Sequence, residues 1–99
     1  MDVTLLYFKA CPNWKVADER LNLLAGERPD INVRHQLVET PEQADRVGFL
    51  GSPSIHVGGV DVFAEPDSQA GLTCRRYPTP NGYEGAPTLE QLRTVLTNV

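Results

Sequence analysis

Scarcity narrows the class of this chain before any motif is read. It carries two cysteines, Cys11 and Cys74, in 99 residues. That is too few for a disulfide scaffold, and the pair lacks the spacing of a zinc site. A redox pair, a single reactive thiol or two inert core residues remain as choices. Long apolar runs are missing too. The longest near-continuous stretch, Val3 to Phe8, falls far short of the roughly 20 residues that a bilayer span needs. No basic segment followed by an apolar signal core stands near the N-terminus, so a cytoplasmic location without membrane contact is expected. Positive charge is sparse: the formal net charge is −4 and the only adjacent basic pair is Arg75-Arg76. Nucleic acid is therefore disfavoured as a partner. Carboxylates are scattered and no two candidate metal ligands are closely spaced, so neither a metal nor a cofactor is expected.

What is present points to a single folded domain over residues 1–99. An apolar fraction of 40% with 22% charged residues is ordinary for a globular chain, and the length suits one core. Val3–Phe8 is apolar on nearly every residue, as in a central strand covered on both faces. Cys11-Pro12 then opens a stretch in which Ala17, Leu21 and Leu24 recur at helical spacing, with Gly26 and Pro29 at its end. This predicts an amphipathic helix with Pro12 in its first turn. Ile31, Val33, His35 and Leu37 alternate with Asn32, Arg34 and Gln36, a second strand in which His35 reads as a core histidine. Strand, helix and strand form a βαβ unit whose strands lie parallel.

Thr40-Pro41 with Gln43 is a capping box, and Ala44 and Val47 give the short helix its inner face before Gly48 and Gly51. Residues 52–63 place two β-branched runs around Gly58-Gly59, a hairpin signal. Pro66, Pro78, Pro80 and Pro87 with Gly71, Gly82 and Gly85 leave residues 64–87 without a period, and they are expected to be irregular loop. Thr88 and Gln91 cap a last helix whose Leu92, Val95, Leu96 and Val99 face inward.

Cys11 has a chemical reading of its own. A thiol between a parallel strand and a helix meets unpaired N–H groups and the positive end of the helix dipole, which favour thiolate. Lys9 adds charge nearby. The competing reading is a small buried hydrophobe that happens to precede a helix.

The order β-α-β-α-β-β-α resembles that of the thioredoxin-like superfamily. Cys11-Pro12-Asn13-Trp14 stands where thioredoxins and glutaredoxins carry Cys-x-x-Cys, and Gly51-Ser52-Pro53-Ser54 stands where they carry the cis-proline loop. The resemblance covers most of the chain except residues 64–87. It departs at Trp14, which replaces the second cysteine of the motif, and in the long loop that contains Cys74. It implies a four-stranded mixed sheet in the order 2-1-3-4 flanked by three helices, a cis bond before Pro53, and a Ser52 backbone that pairs with a bound peptide or thiol. A trans bond opening the strand is the alternative at Pro53. In that arrangement the second hairpin strand runs back toward Cys11, so the loop carrying Cys74 starts at the same end.

The expected function is thiol–disulfide exchange, with Cys11 as the thiolate nucleophile and Cys74 as a resolving partner. A low-molecular-weight thiol or a protein disulfide would be the partner. Pro12, Trp14, Ser52, Pro53, Arg75 and Arg76 would line the substrate site. The two arginines would lower the Cys74 pKa or hold an anionic thiol ligand; alternatively they sit on a solvated loop with an incidental cysteine. Trp14 is open between a lid or stacking surface and an ordinary core aromatic. His56, opposite Ile55 and Val57, could approach a substrate, whereas Tyr77 and Tyr83 have no assignable role. Two other functions stay open: a non-catalytic binding module on the same fold, and a protein that handles a soft metal or an organomercurial with two thiolates.

Overall fold

The computed structural model describes residues 1–97. Strand β1 (Asp2–Tyr7) is followed by α1 (Trp14–Glu27), β2 (Asn32–Leu37), α2 (Pro41–Val47), β3 (Ser54–Val57), β4 (Val60–Asp61), β5 (Tyr77–Thr79), β6 (Gly82–Glu84) and α3 (Leu89–Thr97). The first four strands form a mixed sheet in the order β2-β1-β3-β4. β1 lies parallel to β2, with Leu5 opposite His35, and antiparallel to β3, with Leu5 opposite Ile55.

β1 is mostly apolar from Val3 onward because both of its faces are covered. Successive side chains of a strand point to opposite sides. Val3 and Leu5 join Ala17, Leu21 and Leu24 of α1 and Leu92 and Leu96 of α3 in one core. Leu6 faces the other way, into a smaller core with Val38, Ala44 of α2 and Phe49. Each buried valine, leucine or phenylalanine among them contributes roughly 1.5–3 kcal/mol through removal from water. The first core is laced from outside by arginines: Arg20 donates to Pro87 O at 2.7 Å and Arg28 to Leu96 O at 3.0 Å. These bonds tie both ends of α3 to α1.

Local chemistry sets the ends of the elements. Gln43 N donates to Thr40 Oγ1 at 3.1 Å, and Gly48 closes α2 in the left-handed region at φ 69°. Thr88 and Gln91 bond reciprocally, Gln91 N to Thr88 Oγ1 and Thr88 N to Gln91 Oε1, at the start of α3. The β3–β4 turn needs positive φ at both of its central residues, which Gly58 at 60° and Gly59 at 81° supply.

Four expectations change. Residues 64–87 are not wholly irregular, since β5 and β6 pair as a hairpin with Pro78 opposite Tyr83. Pro78 hides the strand pattern but is tolerated in a two-stranded ribbon, where its missing N–H costs no ladder bond on an open edge. Helix α1 starts at Trp14 rather than Pro12, because Pro12 O accepts from Lys15 N in a tight turn and the regular ladder begins after it. His35 is not a core residue. β2 is the edge of the sheet, and the His35 ring, 44% exposed, contacts Asp18 Oδ1 at 2.6 Å. Finally, β4 is shorter than the β-branched run suggests, because the Asp61 carboxylate accepts from Phe63 N and turns the chain. Val99, assigned to the inner face of the last helix, lies outside the described residues.

Candidate functional site

The turn after β1 carries Cys11, whose N–H donates to Phe8 O at 3.1 Å. Pro12 and Asn13 follow, and Asn13 O accepts from Val16 N at 3.2 Å as the first carbonyl of α1. Cys11 thus sits directly ahead of a 14-residue helix, where the dipole favours a negative sulfur. Trp14, on the first turn, packs against Tyr7 with ring centroids 4.5 Å apart and lies against the main core. Lys9 is exposed on the same turn, beside a shallow cleft of about 250 Å³ lined by Phe8, Lys9, Leu37 and Glu39.

A second segment meets this turn. The Ser52–Pro53 peptide is cis. Ser52 Oγ accepts from Phe8 N at 3.1 Å, and Ser52 O lies 3.7 Å from Cys11 Sγ. Ser54 Oγ donates to Gly51 O at 2.6 Å, so the loop is tied within itself and to the end of β1.

The third segment, residues 71–76, is a strap laid along this loop. Gly71 N donates to Phe49 O at 3.1 Å, Ser52 N to Thr73 O at 2.7 Å and Arg75 N to Ser52 O at 2.9 Å. Ser52 and Cys74 thereby form a parallel bridge. Cys74 is disulfide-bonded to Cys11 across 63 residues of chain, with Cα atoms 5.7 Å apart. The two cysteines are unequal in access, for Cys11 is fully buried and Cys74 is exposed.

A buried polar cluster holds the strap from behind. The Arg75 guanidinium donates to Asp61 Oδ2 at 2.7 Å, to Phe63 O at 2.8 Å and to Ser54 Oγ at 3.3 Å. Arg75 and Asp61 are only 10% and 6% exposed, so loss of either partner strands a buried charge. Arg75 also stacks 4.7 Å over the Tyr77 ring, whose hydroxyl donates to Pro53 O. Burial pushes the Tyr77 hydroxyl well above the ordinary tyrosine range. His56 completes the cluster. Its Nε2 lies 3.9 Å from Asp61 Oδ2 with no hydrogen-bond partner. Burial lowers its pKa below the usual 6.5, Asp61 opposes that shift and Arg75 reinforces it.

Of the residues singled out in the sequence, Cys11, Ser52, Pro53 and Cys74 come together at one point. Arg75 is spent on Asp61 rather than on a ligand, while Arg76 is exposed and stacks 5.9 Å over Tyr83. His56 faces Asp61 behind the loop. Asp61, which the sequence does not single out, and Tyr77, to which it assigns no role, are part of the buried cluster. In the structure Arg75 and Tyr77 are turned inward while Arg76 and Pro78 are exposed, an alternation that Pro78 hides in the sequence.

Among the described residues there is no cluster of three or more His, Cys, Asp or Glu side chains able to hold a metal ion, and no described helix is long and apolar enough to cross a membrane. No protein-family model, curated protein or solved structure matches the chain.

Proposed function

We propose that this chain is a thioredoxin-like thiol–disulfide oxidoreductase of the cytoplasm that cycles between a dithiol and a Cys11–Cys74 disulfide. The observation that carries this reading is the apposition of the two cysteines beside the cis Ser52–Pro53 loop. The sheet order β2-β1-β3-β4 and the position of Cys11 ahead of α1 support the same fold assignment. In the reduced chain, the Cys11 thiolate attacks one sulfur of a substrate disulfide and expels the other as a thiolate. Cys74 then attacks Cys11 Sγ, displaces the bound half as a second thiolate and closes the internal disulfide. Two electrons pass from the protein to the substrate, and an external thiol restores the dithiol. Trp14 stands where the usual resolving cysteine would be, so this role falls to Cys74 on the strap. A cytoplasmic setting supplies both the substrate class, protein or low-molecular-weight disulfides, and the reducing thiol.

Turnover of a mixed disulfide of glutathione with a small thiol tests this. Wild type should turn over, Cys11→Ser should be inactive, and Cys74→Ser should stall with the small thiol or glutathione held on Cys11. Equal turnover by wild type and Cys11→Ser contradicts it. The convergence of two sulfurs also supports a second reading, capture of a thiophilic cation. Titration of the reduced protein with Hg²⁺ should then show one tight equivalent that Cys74→Ser weakens.

A further inference from the structure

The cycle proposed above leaves open which sulfur the external thiol attacks when it reopens the disulfide. We infer that the reductant attacks Cys74 Sγ and that Cys11 is the leaving thiolate, so that substrate and reductant meet different sulfurs. This assignment rests on the oxidoreductase reading and adds a fixed polarity to it.

Three observations point the same way. The first is access. Thiol–disulfide exchange proceeds by attack on one sulfur along the line of the bond to the other. Cys11 has no exposed surface, and the Ser52 carbonyl oxygen stands 3.7 Å from its sulfur. An anionic thiolate would have to displace the loop and approach that oxygen. Cys74, in contrast, is an exposed residue of the strap.

The second is the leaving group. The sulfur with the lower pKa leaves faster. Cys11 sits directly ahead of α1, where the helix dipole stabilises thiolate. Cys74 lies on a segment that belongs to no helix, and the guanidinium of its chain neighbour Arg75 is paired with Asp61 at 2.7 Å.

The third is that the strap has non-covalent holds besides the disulfide. Backbone bonds from Gly71, Thr73 and Arg75 and the Arg75–Asp61 pair hold it. These holds keep Cys74 at its exposed position and Cys11 covered while the reductant attacks.

The chemistry balances as two exchanges. A first thiolate RS⁻ adds to Cys74 Sγ, forming an R–S–S–Cys74 bond, and the Cys11–Cys74 bond breaks to leave Cys11 as thiolate. A second RS⁻ attacks the R sulfur of that mixed disulfide, forming R–S–S–R and freeing the Cys74 thiolate. Each RSH gives up one proton and one electron, and the two cysteines take up what pH allows.

The test uses the full-length oxidised chain and glutathione as the probe. Brief exposure is quenched with excess N-ethylmaleimide, and the Cys11 and Cys74 peptides are mapped by mass spectrometry without reduction. Extrapolation of the product ratio to zero time removes later rearrangement. The expected result is glutathione on Cys74 and maleimide on Cys11, in excess of the reverse pattern by roughly tenfold or more, as unequal access and leaving ability require. Glutathione on Cys11 with maleimide on Cys74, or an even mixture, overturns the polarity while leaving the oxidoreductase reading intact. An oxidised chain that carries no Cys11–Cys74 link at the outset overturns both.

Discussion

Ser52 and Cys74 are joined through their backbones as well as through their surroundings: Ser52 N donates to Thr73 O at 2.7 Å and Ser52 O accepts from Arg75 N at 2.9 Å, one residue on either side of Cys74. The carbonyl that accepts from the strap is also the one 3.7 Å from Cys11 Sγ. One peptide group thus relates the two sulfurs geometrically, and whatever moves the strap relative to Ser52 moves Cys74 relative to Cys11.

Gly51 is the point where that relation is most easily disturbed. Its φ is 114°, and a Cβ there would lie 3.0 Å from Arg75 Cβ and 3.2 Å from Thr73 Oγ1. Gly51→Ala should cost about 1–3 kcal/mol from backbone strain and make the disulfide easier to reduce. Urea midpoints and the dithiothreitol dependence of reduction measure the two effects. An unchanged midpoint with unchanged reducibility means the strap does not bear on Gly51.

Removing one partner of the buried pair should be expensive. Asp61→Ala leaves Arg75 stranded at 10% exposure, and loss of about 3–5 kcal/mol is expected in urea unfolding. Arg76→Ala, at an exposed position, should stay within about 0.5 kcal/mol of wild type. Similar losses for the two variants would contradict the inward role of Arg75.

Stability should fall on the acid side through His56. Its folded pKa lies below the ordinary 6.5, chiefly through burial, so the unfolded chain binds this proton more readily. The contribution is complete above 6.5 and is lost as pH falls from there toward the lower folded value. Urea midpoints at pH 7.5, 6.5 and 5.5 should decline more steeply in wild type than in His56→Gln. Parallel declines would show that His56 does not carry the effect.

In the reduced protein, Cys11 ahead of α1 should titrate below the ordinary thiol value of about 8.5. The pH dependence of iodoacetamide alkylation, followed on Cys74→Ser so that only Cys11 reacts, measures this. An inflection at or above 8.5 means that burial against the core outweighs the helix dipole.

The parts of the fold legible in the sequence are those decided over short distances. A strand covered on both faces leaves a near-continuous apolar run at Val3–Phe8, and Thr40 with Gln43 and Thr88 with Gln91 write their caps three residues apart. Gly58-Gly59 marks its own turn. The half of the candidate site made by Cys11 ahead of α1 and by Ser52-Pro53 is local in the same sense. The other half is not. The strap is held by pairs 14 to 24 residues apart, Arg75 with Asp61 and Tyr77 with Pro53, and such pairs leave no periodic trace. Pro78 breaks the pattern of β5, and alternation places His35 on a face without saying that β2 is an edge.

A redox titration of the intact chain tests the two-cysteine cycle most directly. The protein is equilibrated across a series of glutathione and glutathione disulfide ratios, quenched with N-ethylmaleimide and weighed by mass spectrometry. Cys11 and Cys74 should pass together from an unmodified, linked form to a doubly alkylated form in one two-electron transition, with no link in Cys11→Ser or Cys74→Ser. Two alkylated cysteines at every ratio, or glutathione on Cys11 alone in the oxidising range, would contradict it.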